Sequence, residues 1–217
     1  FLMSVTKKGF SSKEIQKQLG LKRYEPVWAM VHKLRKAMGA RDERYTLEGM
    51  IEFDEGYFTV ESSEIEQEKG VRGRGAAGKQ NVAVMAESVP LEDLETGEKS
   101  KSCRYFKAKV LETHLSLEIN ETIKESIDNQ SIVFTDKSTS YVDISDFVEL
   151  HITEKSDKET TKETLKWVHI TISNAKRNLL GNYHKIKRKY LQLYLNEFIY
   201  KLNRRYFGDK LFERLII

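Results

Sequence analysis

The hydrophobic period of this chain changes at Gly49, and that change constrains the fold more than any other feature. Upstream, apolar residues recur at three and four positions. Downstream, Met50-Ile51-Glu52-Phe53-Asp54-Glu55-Gly56-Tyr57-Phe58 sets β-branched and aromatic residues between polar ones, the pattern of a strand. Strand-like runs follow at 80–88, around Val82, Val84 and Met85, and at 102–109, from Cys103 to Lys109. The turn-prone stretch from Pro90 to Lys101 separates them, which predicts a meander of three antiparallel strands. Thr113 or Ser116 can cap a helix running to about Asp128, with Leu117, Ile119, Ile123 and Ile127 on its buried side. Ser131-Ile132-Val133-Phe134-Thr135-Asp136 is then a short apolar strand ending on an aspartate, as expected of a buried parallel strand after a crossover helix. The order β-β-β-α-β places the chain in the α/β class. A further strand is predicted from Phe147 to Ile152, then a charged segment from Thr153 to Thr164. Helices are predicted over 164–180 and 186–206, with Gly181 as the C′ residue closing the first.

The upstream segment predicts two helices. Ser11 caps the first, with Glu14 completing a capping box, and Gly20 ends it. Pro26 suits the first position of the second, in which Val27, Met30, Val31, Leu34 and Met38 repeat at helical spacing. Helix, short turn, helix, with Lys22 and Arg23 in the turn, is compatible with a helix-turn-helix that touches DNA, and also with a common helical hairpin. The expected division is a helical DNA-contacting unit over 1–44 and a catalytic domain over 45–217.

Charge is segregated along the chain. Residues 1–44 carry 11 Lys/Arg against 4 Asp/Glu, and residues 174–217 carry 11 against 3; the middle carries 15 against 26. Basic ends neutralise the phosphates of a polyanion, and an acidic middle can hold divalent cations. No run approaches the roughly 18 apolar residues of a spanning helix, and the start lacks the order of a signal peptide, so a cytoplasmic protein with no membrane partner is expected. The single cysteine, Cys103, provides no internal disulfide and no cysteine-based zinc site.

Two aspartates at strand ends, Asp54 and Asp136, are the first candidates for chemistry. Neighbouring carboxylates at the mouth of a sheet can share two divalent cations, which activate one oxygen and stabilise another in an in-line displacement at phosphorus. The inferred strand order sets the first and fourth strands side by side. A third candidate lies in Trp167 to Arg177, where His169 and Lys176 are seven positions apart, two helical turns, and so project from one helix face. An imidazole can ligate metal or accept a proton; a lysine can grip phosphate.

These segments, with Gly181-Asn182-Tyr183-His184 and Tyr194-Leu195-Asn196-Glu197-Phe198 through Asn203-Arg204-Arg205, resemble the bacterial insertion-sequence transposases with an ISXO-like DDE domain. The resemblance spans nearly the whole chain. It implies a ribonuclease-H-like fold: a mixed five-stranded sheet flanked by helices, with a small N-terminal helical unit. It implies a metal-dependent enzyme that cuts DNA at an element's ends and joins them to target DNA. Asp54, Asp136 and His169 would be the metal ligands, Lys176 the fourth active-site residue, and Mg²⁺ or Mn²⁺ the cofactor in a two-metal site. DNA would be the partner, in a complex at least dimeric and nucleoid-associated. Two features depart from the pattern. The commonest third ligand is glutamate, which makes Glu163 a fallback and Mn²⁺ the better match to histidine. The N-terminal zinc-ribbon usual among the relatives has no cysteine pairs to form it here.

The remaining basic residues are candidates for DNA contact. Arg72, Arg74 and Lys79 belong to a glycine-rich loop beside the first strand. Lys176, Arg177, Lys185, Lys187, Arg188 and Lys189 lie in a stretch without acidic residues, interleaved with Tyr183 and His184. The Leu191, Leu195, Phe198, Leu202 spacing reads as a core or dimer-facing stripe.

Overall fold

A computed structural model describes residues 1–3, 6, 8–61, 78–92, 97, 99–113, 115–138, 140–155, 163–183 and 185–213. They form two compact units: one from 1–44, 59–79 and 174–217, the other from 45–58 and 80–173.

The first unit is helical. Helix α1, Ser12–Gln18, starts where the Ser11 hydroxyl accepts the Glu14 N–H at 3.1 Å, and stops at Gly20, whose φ of +63° costs a glycine nothing. Helix α2, Tyr24–Glu43, opens two residues before Pro26, so the proline sits third rather than first. It is tolerated there because N–H groups of the first turn have no helical acceptor. Val27, Val31 and Met38 of α2 join Met3, Ile15, Tyr200 and Leu211 in one core cluster. Tyr200 belongs to helix α5, Leu191–Asn203, which begins after a short 3-10 turn at Arg188–Tyr190. Of the apolar stripe expected in α5, Leu191 and Leu195 are fully buried, while Phe198 and Leu202 are half-buried. A Cβ on Gly39 would lie 2.1 Å from Asn196 Nδ2, so the Asn196 amide of α5 occupies the space a larger residue on α2 would need.

Polar groups lock the same two helices. Arg35, with no exposed surface, donates from Nε to Glu197 at 2.8 Å and from Nη2 to the Tyr183 hydroxyl at 2.8 Å, and its guanidinium stacks 4.0 Å from the Tyr194 ring. Lys201 gives Glu197 a second ion pair at 2.9 Å, and Arg204 pairs with Asp42 at 2.5 Å. His32 packs among Trp28, Tyr190 and Tyr194, at ring separations of 4.1, 5.1 and 5.5 Å, and among the described residues neither ring nitrogen has a hydrogen-bond partner. Burial, reinforced by Arg35, pushes its pKa down to about 4. Between that value and the ordinary 6.5 the unfolded chain binds the proton and the folded one does not. Stability should therefore fall as pH drops from about 6.5 to 4, by at most about 3 kcal/mol. Urea titrations of wild type and His32→Phe across that range check this: the phenylalanine variant should lose most of the slope.

The second unit holds one sheet in the order β3-β2-β1-β4-β5. Its strands are β1, Met50–Thr59; β2, Lys79–Glu92; β3, Lys99–Val110; β4, Ile132–Asp136; and β5, Leu150–Glu154. β2 and β3 are antiparallel, while β1 with β4 and β4 with β5 are parallel, so the sheet is mixed. Strands β2 and β3 run through most of the stretch expected to be a turn. Pro90 pairs with Lys101 and Glu92 with Lys99, because alternation continues through Val89 and Leu91, past the proline. β5 starts later than expected, after a 3-10 turn at Ile144–Asp146.

Helix α3, Ser116–Ser126, is capped by neither Thr113 nor Ser116. The Glu118 carboxylate reaches back instead, accepting the amides of Glu112 and Thr113, each at 2.7 Å. Ile119, Ile123 and Ile127 are buried, but Leu117 is 68% exposed, because a residue two positions before Ile119 points to the other side of a helix. One sheet face, with Ile51, Phe53, Met85 and Val133, packs on α3 through Ile119 and Ile123. Helix α4, Lys166–Asn182, runs through Gly181 rather than ending at it; a glycine with open space around it neither forces nor forbids another residue of helix. No described helix is long and apolar enough to cross a membrane.

Candidate active site

Alternation along β1 puts Ile51 and Phe53 into the α3 side of the sheet and Glu52, Asp54 and Gly56 on the opposite face. The start of α4 lies on that opposite face, residue against residue. Glu52 accepts the N–H groups of Trp167 and Val168 at 2.7 and 3.1 Å. Asp54 Oδ2 stands 3.7 Å from His169 Nδ1. A Cβ on Gly56 would lie 3.1 Å from Ile172 Cγ2, so the absent side chain lets the helix come this close. The strand advances two residues for each step along the helix, and the pairing fixes which α4 side chain meets Asp54.

Asp136 enters from the neighbouring strand. β1 and β4 pair as Met50 with Ile132, Ile51 with Val133 and Glu52 with Phe134. Continued by two residues, that register sets Asp54 beside Asp136 on the same face, about one strand spacing of 4.8 Å apart. Both carboxylates are partly held: Asp54 Oδ1 accepts the Glu55 N–H at 2.7 Å and Asp136 Oδ1 accepts the Ser138 N–H at 3.1 Å. On the far side Asp136 pairs with Glu154 in the β4–β5 register, and the Glu154 carboxylate accepts the Thr164 hydroxyl at 2.6 Å. Below Asp136, the Thr135 hydroxyl donates to the Asp136 carbonyl at 2.9 Å and meets His151 Nε2 at 2.8 Å.

His169 is half-buried. Burial lowers its pKa, against the opposing pull of the Asp136 charge, so the ring is neutral near pH 7 with a lone pair to offer. Glu52 is more extreme: fully buried, its carboxylate also takes the Lys101 ammonium at 2.6 Å, while the same ammonium donates to the Thr164 carbonyl at 2.8 Å.

The structure thus brings Asp54 and His169 together, with Asp136 on the adjoining strand. Lys176 follows His169 on α4 by two turns and is exposed. Glu163 is exposed just ahead of that helix. Of the residues proposed for DNA, Lys22, Arg23, Lys79, Lys176, Arg177, Lys185, Lys187 and Arg188 all belong to the first unit, while Arg72 and Arg74 lie outside the described residues. Lys79 donates to the Thr59 hydroxyl at 3.0 Å and Arg177 to Asn174 Oδ1 at 2.7 Å. Sequence reasoning missed Glu52, Lys101, Gly56 and Glu154. The available signal was Glu52 itself, two positions before Asp54 and so on its face.

The donor types on this face, two carboxylates and a neutral imidazole, fit a divalent cation that accepts oxygen and nitrogen. Among the described residues, no group of three or more His, Cys, Asp or Glu side chains stands close enough together to hold an ion. The arrangement is a contacting pair with a neighbouring carboxylate, one short of a closed set of ligands.

A mixed five-stranded sheet in this order, with helices packed on both faces, defines the ribonuclease-H-like class, in the form found in transposase domains. The family model of the ISXO2-like transposase domain matches residues 46–203, and the chain belongs to that family. No curated protein matches the chain.

Proposed function

We propose that this chain is a DNA transposase whose second unit carries out metal-dependent strand cleavage and strand transfer, with Asp54, Asp136 and His169 holding Mg²⁺ or Mn²⁺. The observation that supports this most is the meeting of Asp54 and His169 at 3.7 Å, on the face to which the β1–β4 register delivers Asp136. Held by these side chains, the ions would supply Lewis-acid activation of a phosphate and of the oxygen that attacks it, that of water for cleavage and of a 3′-hydroxyl for transfer. The chain's own residues do the rest. Paired carboxylates create a concentrated negative charge that favours cations, and the neutral imidazole adds a donor without adding charge. Lys176, on the His169 face of α4, engages a DNA phosphate, and the basic residues of the first unit hold the flanking backbone. In this reading the active complex is at least a dimer, with one copy for each element end.

The separation of the three donors gives weight to a second reading, a DNA-binding remnant without catalysis. Strand-transfer reactions decide between them, using duplexes built from the DNA that flanks the gene and Mn²⁺ at millimolar concentration. The proposal predicts nicked ends and joined products. Nicks without joining would make the protein a nuclease of the same fold, and DNA binding with neither product would make it a remnant.

A further inference from the structure

Two amides in the first turn of α4 are served by a carboxylate from a strand more than a hundred residues earlier. Glu52 Oε2 accepts from both Trp167 and Val168, and Oε1 takes the Lys101 ammonium, which crosses over β2 from β3 and also binds the Thr164 carbonyl just ahead of the helix. A single buried side chain therefore fixes the height and rotation of the first turn of α4 relative to β1. His169 is the residue immediately after Val168, and Asp54 follows Glu52 by two on the same strand face. The Glu52 clasp and the Asp54–His169 approach are adjacent rungs between one strand and one helix, with Gly56 and Ile172 the next.

We infer that Glu52 is a positioning residue of the active site: with Lys101, it holds the α4 N-terminus so that His169 meets Asp54. This rests on the metal-site reading above. The helix end favours a carboxylate, since its N–H groups carry the positive end of the helix dipole. The closed Glu52–Lys101 pair leaves no net charge buried beneath the site. A glutamine oxygen could still accept both amides, but its NH₂ group would face the Lys101 ammonium with no charge to offer it, and an alanine would release both amides. A shift of about 1 Å at such a site is enough to lose a hundredfold in rate.

Glu52→Gln and Glu52→Ala should be compared with Ile123→Val, which loosens the core on the opposite face and gives a control for general destabilisation. Amide exchange read by NMR without metal should show Trp167 and Val168 accelerated at least tenfold, relative to the rest of α4, in Glu52→Ala and not in the control. Mn²⁺ affinity by titration calorimetry should fall at least tenfold in Glu52→Gln, and turnover should drop with little change in the KM for DNA. Exchange and Mn²⁺ affinity that track the Ile123→Val control within twofold would overturn the inference. A wild type with no Asp54-dependent Mn²⁺ binding would instead sink the metal site and, with it, the positioning role, even where the amide exchange shows that Glu52 clasps the helix.

Discussion

Replacing Asp54 with asparagine should lower metal-dependent DNA nicking by about a thousandfold, a loss of ~4 kcal/mol of transition-state stabilisation, while leaving the fold intact or slightly stabilised. The two halves of that expectation have one cause. Asp54 and Asp136 are like charges on neighbouring strands of one sheet face, and directly opposed like charges in a sheet destabilise it. Without a cation, neutralising one carboxylate relieves that repulsion; with a cation, it removes a ligand. A residue kept for structure behaves the other way, losing stability first and activity only in proportion. Nicking of supercoiled plasmid in Mn²⁺, read beside thermal unfolding in EDTA, separates the two. An Asp54→Asn protein with an unchanged unfolding temperature and wild-type nicking would remove Asp54 from the site.

The second large effect lies in the other unit. Glu197→Ala should cost about 3–5 kcal/mol, because it leaves the Arg35 guanidinium buried without its carboxylate. For a chain of this size that is a fall in melting temperature of roughly 10 °C. Replacing Arg35 with methionine and Glu197 with leucine together should recover much of the loss, since an apolar pair of similar volume carries no desolvation cost. Guanidinium chloride titrations of the two single variants and the double variant give the coupling directly. Additive losses would show that the pair does not act as a unit.

That pair also explains a pattern that carried the family resemblance. Tyr194, Asn196, Glu197, Asn203 and Arg204 all meet residues of α2. Asn196 covers the gap at Gly39, Tyr194 and Glu197 enclose Arg35, and Arg204 binds Asp42, so the motif is an interlock of α2 with α5. The spacing of such residues was legible in the sequence, but their partners lie some 160 positions away and were not.

The same division runs through the candidate site. Asp54 and Asp136 could be read because each lies in a strand whose period is local, Asp136 at the end of β4 and Asp54 in the middle of β1 rather than at its end, and the order β-β-β-α-β sets those two strands side by side. His169 could be placed on a helix, two turns before Lys176, for the same local reason. Glu52 shares the face of Asp54 by its spacing, but its role was not legible, because a glutamate in an alternating strand reads as a residue facing water. Its burial depends on the α4 amides and on Lys101, which only the folded chain brings to it. Leu117 failed in the opposite direction, as an apolar residue assigned to a face that the helix turns away. Pro90 reads as a turn, yet it sits within a strand because pairing with β3 continues past it.

The central claim is that Asp54, Asp136 and His169 close on one metal site. Crystals soaked in Mn²⁺ and measured on both sides of the manganese absorption edge test it directly. The account predicts an anomalous peak about 2.0–2.3 Å from a carboxylate oxygen of Asp54, one of Asp136 and a ring nitrogen of His169, with Asp136 drawn toward the pair. Manganese bound elsewhere, or a well-ordered soaked site in which the three side chains stay apart with no peak between them, would contradict it.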